Sequence, residues 1–398
     1  MFTLIDTIHD NTQYRIKDLE KARIYQKICL EIGITRKAIA AELGIRPTTV
    51  TNMVGEMLEQ NMVYEGELQI SGKKGRPEIS LYSNNNHLVC IAVYVVSKQL
   101  KAVLLNLAGE VLFENNMKVP KEVGNEELMD LLEGIIEPLK QAKPVGSKLL
   151  GVGISFFGNF NKIRQELIFS VRWCNIQRFS FKDLAERIGC EVRIYTSLEA
   201  KLTHLLLQES SYRRGGTLLY HWGYGIGATY AMDGRVISST PGYIMEAGHI
   251  SVDMNSTKKC KCGNTGCLET EAALWALLPQ LVDAYPDIPE NENDFRAYFL
   301  EKHLGDTPIV RKAAKAVAHS IATMYQILHP DRIILLSPFL MDSKVFSAVQ
   351  EHFFSMTSPY THDEASLILL QPEFRGEIFG STSELFTNHL REELIANN

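Results

Sequence analysis

Between residues 248 and 269 the chain reads GHISVDMNSTKKCKCGNTGCLE. Three of its seven cysteines, Cys260, Cys262 and Cys267, fall within eight residues, and His249 stands eleven positions before the first. Three thiolates and an imidazole form a donor set suited to a closed, tetrahedral structural zinc site. Gly263 and Gly266 let the chain turn tightly between the ligands. A catalytic zinc would keep an open position and usually fewer thiolates, so the metal is read as architectural. The alternative is a loop of reduced cysteines, and spacing alone ties His249 to the set less firmly than the thiols.

The remaining cysteines, Cys29, Cys90, Cys174 and Cys190, are scattered and the total is odd. That argues against a disulfide framework and for a reducing cytoplasm. No run approaches the roughly 18–20 apolar residues of a membrane span, and HLVCIAVYVV reads as a buried strand. The opening MFTLIDTIHD has no basic stretch before an apolar core, so no secretory signal and a cytoplasmic location are expected. At 398 residues the chain is long enough for two or three domains with cores of their own. The net charge of −6 lies entirely beyond residue 82, because residues 1–82 carry 11 basic and 11 acidic side chains.

Residues 20–64 read as three helices. Ile24, Ile28 and Ile32 recur at intervals of four and end at Gly33. Thr35 is placed to cap a short helix that turns Ile39, Ala40 and Leu43 inward before Gly44. Pro47 then suits the first turn of a third helix, with Val50, Val54, Met57 and Leu58 on one face. Two short helices about a glycine-containing turn form a helix-turn-helix pattern. The third helix would enter the major groove with Arg46, Thr48, Thr49, Thr51 and Asn52. YEGELQISGKKGRPEISLY then reads as a two-stranded wing whose basic tip offers Lys73, Lys74 and Arg76 to phosphates or a narrow minor groove. The plainer alternative is a small helical domain with a charged turn. Residues 1–82 are thus expected to be a winged helix-turn-helix DNA-binding domain.

From residue 86 onward strands and helices alternate, which implies α/β layers, with no internal repeat visible. Here the zinc stretch resembles the signature of the ROK family (repressors, open reading frames and kinases), E-x-G-H followed by C-x-C-G-x-x-G-C-x-E. The matching residues are Glu246, Gly248, His249, Cys260, Cys262, Gly263, Gly266, Cys267 and Glu269. With the head ahead of it, the chain resembles that family's regulator branch, typified by repressors of xylose and N-acetylglucosamine use. The resemblance implies a two-lobed, actin-like, sugar-kinase-like body over residues 83–398. It also implies an effector pocket lined by Glu246, His249 and Glu269, though the two glutamates could instead flank the loop and face solvent.

The family's phosphoryl-transfer elements are altered. Where its first phosphate loop reads D-x-G-x-T, this chain has Tyr94, Val96 and Lys98. Where an N-D pair supplies the base, Thr196 and Ser197 stand, with Glu199 two residues on. Leu336, Ser337 and Pro338 replace glycines near the adenine, and only Gly223, Gly225 and Gly227 of the second loop remain. Lys98 is a candidate for a phosphosugar contact.

The leading expectation is therefore a non-enzymatic regulator, a repressor of carbohydrate-use genes. It would bind a palindromic operator as a homodimer or homotetramer and respond to a sugar or sugar phosphate. Two alternatives remain open at this point: an ATP-dependent sugar kinase with an accessory head, and a DNA-bound scaffold for a protein partner.

Overall fold

A computed structural model describes residues 15–69, 78–96, 99–170, 172–173, 175–238, 245–358, 366–371 and 375–395. At the N-terminal end lie helices α1 (Ile16–Leu30), α2 (Arg36–Leu43) and α3 (Pro47–Glu59). The short strand β1 (Ile34–Thr35) and the antiparallel pair β2 (Val63–Gln69) and β3 (Glu78–Ser83) complete a sheet ordered β1-β3-β2. Thr35 caps α2 as its sequence implies, its hydroxyl oxygen accepting from the Ala38 N–H at 3.3 Å. The same hydroxyl donates to Glu78 at 2.7 Å, so one side chain ties the helix start to the hairpin. Pro47 opens α3, and Val50, Met53, Val54 and Met57 bury its inner face. One expectation is corrected: α1 stops at Leu30, so Ile32 leaves the face of Ile24 and Ile28 and is 88% exposed.

Two five-stranded sheets follow. The first is ordered β11-β7-β4-β5-β6, from strands β4 (Leu88–Val96), β5 (Gln99–Asn106), β6 (Val111–Lys118), β7 (Lys148–Phe156) and β11 (Val192–Thr196). The second is ordered β14-β13-β12-β15-β16, from β12 (Gly216–Trp222), β13 (Ile226–Met232), β14 (Arg235–Val236), β15 (Arg332–Leu336) and β16 (Ser366–Leu369). In each, three antiparallel meander strands are followed by two parallel ones. The architecture therefore repeats where the sequence shows no repeat. A small sheet of β8 (Asn159–Asn161), β9 (Glu166–Phe169) and β10 (Gln177–Ser180) lies between β7 and β11 in chain order.

Alternation along β4 shows how the first lobe is filled. Val89, Ile91, Val93 and Val95 join the core with α4 (Asn125–Gln141) and α5 (Phe181–Ile188). Leu88, Cys90, Ala92 and Tyr94 face the other way, into a cluster with the C-terminal helix. The remaining helices are α6 (Ser197–Gln208), α7 (Leu268–Ala272), α8 (Leu274–Leu281), α9 (Glu292–Glu301), α10 (Pro308–Leu328), α11 (Ser343–Met356) and α12 (Arg375–Leu394). The stretch ETEAALWALLPQ forms two helices, broken at an extended Ala273. The break lets the Leu274 N–H donate to the Gly223 carbonyl at 2.9 Å.

The apolar cluster around α1 is continuous with the first lobe. It holds Tyr25 and Cys29 of α1 together with Leu88, Leu105, Phe386, Leu390 and Leu394. Among the described residues no helix is long and apolar enough to cross a membrane.

Candidate functional site

On α3, Arg46, Thr48, Thr51 and Asn52 are exposed and Thr49 is half-buried. Arg46 occupies the cap position itself, and the Thr51 hydroxyl donates to the Pro47 carbonyl at 2.9 Å. The expected basic tip, Lys73, Lys74 and Arg76, lies outside the described residues.

His249, Cys260, Cys262 and Cys267 converge, with their ligand atoms within 4.8 Å of one another. His249 Nδ1 is 3.6 Å from Cys260 Sγ, and the Cys262 and Cys267 sulfurs are 3.7 Å apart. Metal–ligand bonds of about 2.3 Å to sulfur and 2.0–2.1 Å to nitrogen, at tetrahedral angles, give edges of about 3.8 and 3.5 Å. The group thus fits a tetrahedral ion in donor chemistry and along those two edges. Burial, reinforced by the neighbouring Cys262 and Cys260 sulfurs, pushes the Cys267 thiol up to about 12. A cation among the sulfurs would reverse that tendency and favour thiolates.

The loop is held independently of any ion. Isolated bridges join Ser251 to Cys267 and Lys259 to Thr265, and the Cys260 N–H donates to the Asn264 carbonyl at 2.8 Å. Buried Glu271 pairs with Lys258 at 2.9 Å and with Lys312 of α10 at 2.8 Å, clamping the loop to the second lobe.

The other nitrogen of His249, Nε2, lies 3.6 Å from a carboxylate oxygen of Glu246. Glu246 stands at the rim with 46% of its side chain exposed. Partial desolvation is the main influence on its pKa and raises it; His249 opposes and Glu269 adds to the rise. Glu269 is placed differently. It is buried, accepting from the Ile226 N–H at 2.9 Å and from the Trp275 indole at 3.2 Å. It therefore braces the glycine hairpin 223–227 through Ile226. Lys261, in the cysteine loop, sits over both Tyr224, at 5.2 Å, and Trp275, at 4.8 Å.

Where the resemblance sets nucleotide chemistry, other side chains are engaged. Buried Tyr94 is raised by desolvation and by the nearby charge of Glu377. Thr196 and Glu199 form a reciprocal capping box at the start of α6. Glu199 also pairs with Lys162 at 2.7 Å. Ser337 is buried and accepts from the Phe339 N–H at 3.1 Å. Lys98 lies outside the described residues.

Four charged residues in this region went unnoticed in the sequence. Glu377 of α12 is almost fully buried and bonds Lys201 of α6. Arg172 sits over Phe157 of the first lobe at 4.8 Å and over Tyr224 of the second at 5.5 Å. Glu292 binds the hairpin from the start of α9, pairing with His221. None belongs to a motif or a periodic pattern; each acts through a partner far along the chain.

A family model described as "ROK family" matches residues 90–368. Among curated relatives, a putative xylose repressor of Caldicellulosiruptor sp. (strain Rt8B.4) is 28% identical over 340 residues, covering 80% of this chain and 83% of the relative. The DNA-binding transcriptional dual regulator NagC of Escherichia coli (strain K12) is 22% identical, covering 83% of each. Among solved structures, a ROK family transcriptional regulator, homologous to the E. coli MLC protein, aligns with a TM-score of 0.73 at 20% identity. It covers 96% of this chain and 100% of its own. The ROK hexokinase of Thermus thermophilus aligns with a TM-score of 0.61 at 18% identity, covering 76% of this chain and 99% of its own.

Proposed function

The chain belongs to the ROK family, and from that premise we propose that it is a DNA-binding transcriptional repressor of carbohydrate-use genes. One observation carries the reading. The hexokinase fold accounts for 76% of this chain and the regulator fold for 96%, and the helices and hairpin described from Ile16 onward precede the ROK match.

In this reading residues 1–82 form a winged helix-turn-helix domain. Arg46, Thr48, Thr49, Thr51 and Asn52 face the major groove, and Lys73, Lys74 and Arg76 face the backbone or minor groove. Residues 83–398 form the effector-sensing and oligomerisation body. His249, Cys260, Cys262 and Cys267 would hold a zinc ion, which supplies a fixed crosslink within the loop. Glu246 and His249 Nε2 offer hydrogen-bonding groups for sugar hydroxyls at the rim, and Glu269 holds the hairpin. The effector is a sugar or sugar phosphate. Two heads brought together by a homodimer or homotetramer would read a palindrome. The effector acts by preferring one arrangement of the heads to the other.

The replaced phosphate-loop residues at 94 and 96, and the capping box in place of an acid–base pair at 196–199, support the loss of kinase activity. Such a regulator works in the cytoplasm, where its operator lies.

The test is a genomic-fragment pull-down with the zinc-loaded protein, with and without a panel of sugars and sugar phosphates. Enrichment of a palindrome that one compound abolishes is the expected result. No enriched site at low salt, or sugar-dependent ATP turnover by the purified protein, would overturn the reading.

A further inference from the structure

Two adjacent cations tie the first turn of α2 to both strands of the N-terminal hairpin. Arg36 reaches Glu65 of β2 at 2.7 Å, and Lys37 reaches Glu78 of β3 at 2.8 Å. Glu78 spends its other oxygen on Thr35, whose hydroxyl donates to it at 2.7 Å while capping α2. The two cations are placed differently. The Arg36 side chain is packed, with 24% of it exposed, and joins helix to hairpin as part of the fold. The Lys37 side chain is 81% exposed, and among the described residues Glu78 is its one ion-pair partner.

Lys37 stands beside the residues already proposed to meet DNA. Glu78 comes two positions after Arg76, so one ion pair separates Lys37 from the stretch that carries Lys73, Lys74 and Arg76. Its helix is the one that precedes α3 across the turn at Gly44. In a helix-turn-helix that earlier helix crosses the sugar-phosphate backbone. An exposed ion pair contributes little to stability, because water and salt screen it, so Lys37 exchanges one oxyanion for another at small cost.

We propose that Lys37 is a phosphate contact of the DNA surface and that Glu78 is its counterion in the free protein, displaced when a phosphate oxygen arrives. Glu78 keeps its bond to Thr35, so the cap of α2 survives the exchange. Its carboxylate is then left near the phosphate without a cation and opposes binding on every sequence alike. Glu78 is thus a positioning residue: it sets Lys37 in place and restrains sequence-independent affinity. The inference rests on the reading of residues 1–82 as a DNA-binding domain and adds to it one contact and one restraint.

The test is fluorescence anisotropy of full-length protein on a labelled duplex of arbitrary sequence, across a salt series. Lys37→Gln should make the slope of log affinity against log salt shallower by about 0.9. Lys344→Gln, a body lysine likewise paired with a carboxylate, should leave the slope unchanged. Glu78→Gln retains an oxygen for Thr35 and should tighten binding by about fivefold at low salt. That gain should shrink when Lys37→Gln is already present. Binding by wild type with an unchanged slope in Lys37→Gln would overturn this inference and leave the DNA reading standing. So would a gain from Glu78→Gln that is equal in both backgrounds, since Glu78 would then be a bulk charge. No binding by wild type at low salt would overturn the DNA reading, and this inference with it.

Discussion

Lys21, in the first described helix, donates from Nζ to the carbonyl oxygen of Glu393, in the last, at 3.2 Å. The two residues are 372 positions apart, and the bond sits on the apolar seam between α1 and α12. Lys21 also reaches Gln60 at 3.2 Å and Glu56 at 3.4 Å, so it links α1, the end of α3 and α12. The helices proposed to read DNA are thereby anchored to the body by hydrogen bonds as well as by packing.

Stability in acid should report on this junction. The Glu393 carboxylate lies 3.1 Å from both His87 Nε2 and His389 Nε2. Burial would raise its pKa, but the two histidines hold it at about 2, below the ordinary 4.5. A depressed carboxylate contributes fully above 4.5 and loses that contribution as pH falls toward 2. The contribution is at most about 3 kcal/mol. Glu393→Gln should therefore lower the melting temperature at pH 7 and flatten its fall between pH 4.5 and 2.5. Scanning calorimetry across that range checks it, and parallel curves for the two proteins would remove Glu393 from the account.

Metal content should follow the cysteines. Cys267→Ser and Cys260→Ser are each expected to lose most of the bound zinc, measured by elemental analysis after dialysis against a weak chelator. Removal of one ligand or its support typically costs 10–100-fold or more in affinity. The bridges of the loop and the Glu271 clamp should keep the body folded at a lower melting temperature. Effector response should fall together with zinc; a metal-free protein with unchanged response would separate the loop from sensing.

Operator binding should divide by chemistry. Arg46→Ala and Asn52→Ala are expected to cost about 1–3 kcal/mol each at the base they read, with little change on other sequences. Replacing Lys73, Lys74 and Arg76 should weaken binding to all sequences and flatten its salt dependence by about one unit per lost phosphate contact. Fluorescence anisotropy at several salt concentrations distinguishes the two behaviours.

Helix α12 meets α6 at Gly376 and, most closely, at Gly380. A Cβ on Gly380 would stand 1.8 Å from the Ala200 carbonyl oxygen, within backbone that has no room to yield. Gly380→Ala should destabilise the protein by about 3 kcal/mol or more, beyond the usual cost of overpacking. Urea unfolding measures it, with Gly55→Ala, where nothing lies within 4 Å of the added Cβ, as the control.

Much of this was legible in the sequence, for definite reasons. Capping Thr35, Pro47 and the glycine after α2 mark helix ends by local chemistry, so α2 and α3 fall where expected. The cysteine spacing brings three ligands together through a loop too short to separate them, and His249 completes the set. Other features carry no local mark. The shared order of the two sheets is a property of strand pairing, and a period-two apolar pattern does not say which strand lies beside which. Helix α12 opens RGEIFGSTSELF, whose glycines, serines and threonine have low helix propensity. It is helical because those small residues fit a crowded crossing and Ser381, Thr382 and Ser383 donate to carbonyls one turn back. Glu292 sits in the polar run PENEND, indistinguishable there from Glu290. Its significance appears only when His221 and the hairpin arrive from seventy residues away.

The placement of Gly380 gives α12 the proportions of a lever. Glu377, gripped by Lys201 in the region between the lobes, lies three residues to one side of that crossing, and Glu393, beneath the head, lies thirteen to the other. At a rise of about 1.5 Å per residue the arms are about 4.5 and 20 Å long. With the Ala200 crossing as fulcrum, a tilt that shifts the short arm by about 1 Å swings the long arm by about 4 Å. A displacement too small to break the Lys201–Glu377 pair would thus arrive at Lys21 larger than the hydrogen bond that receives it.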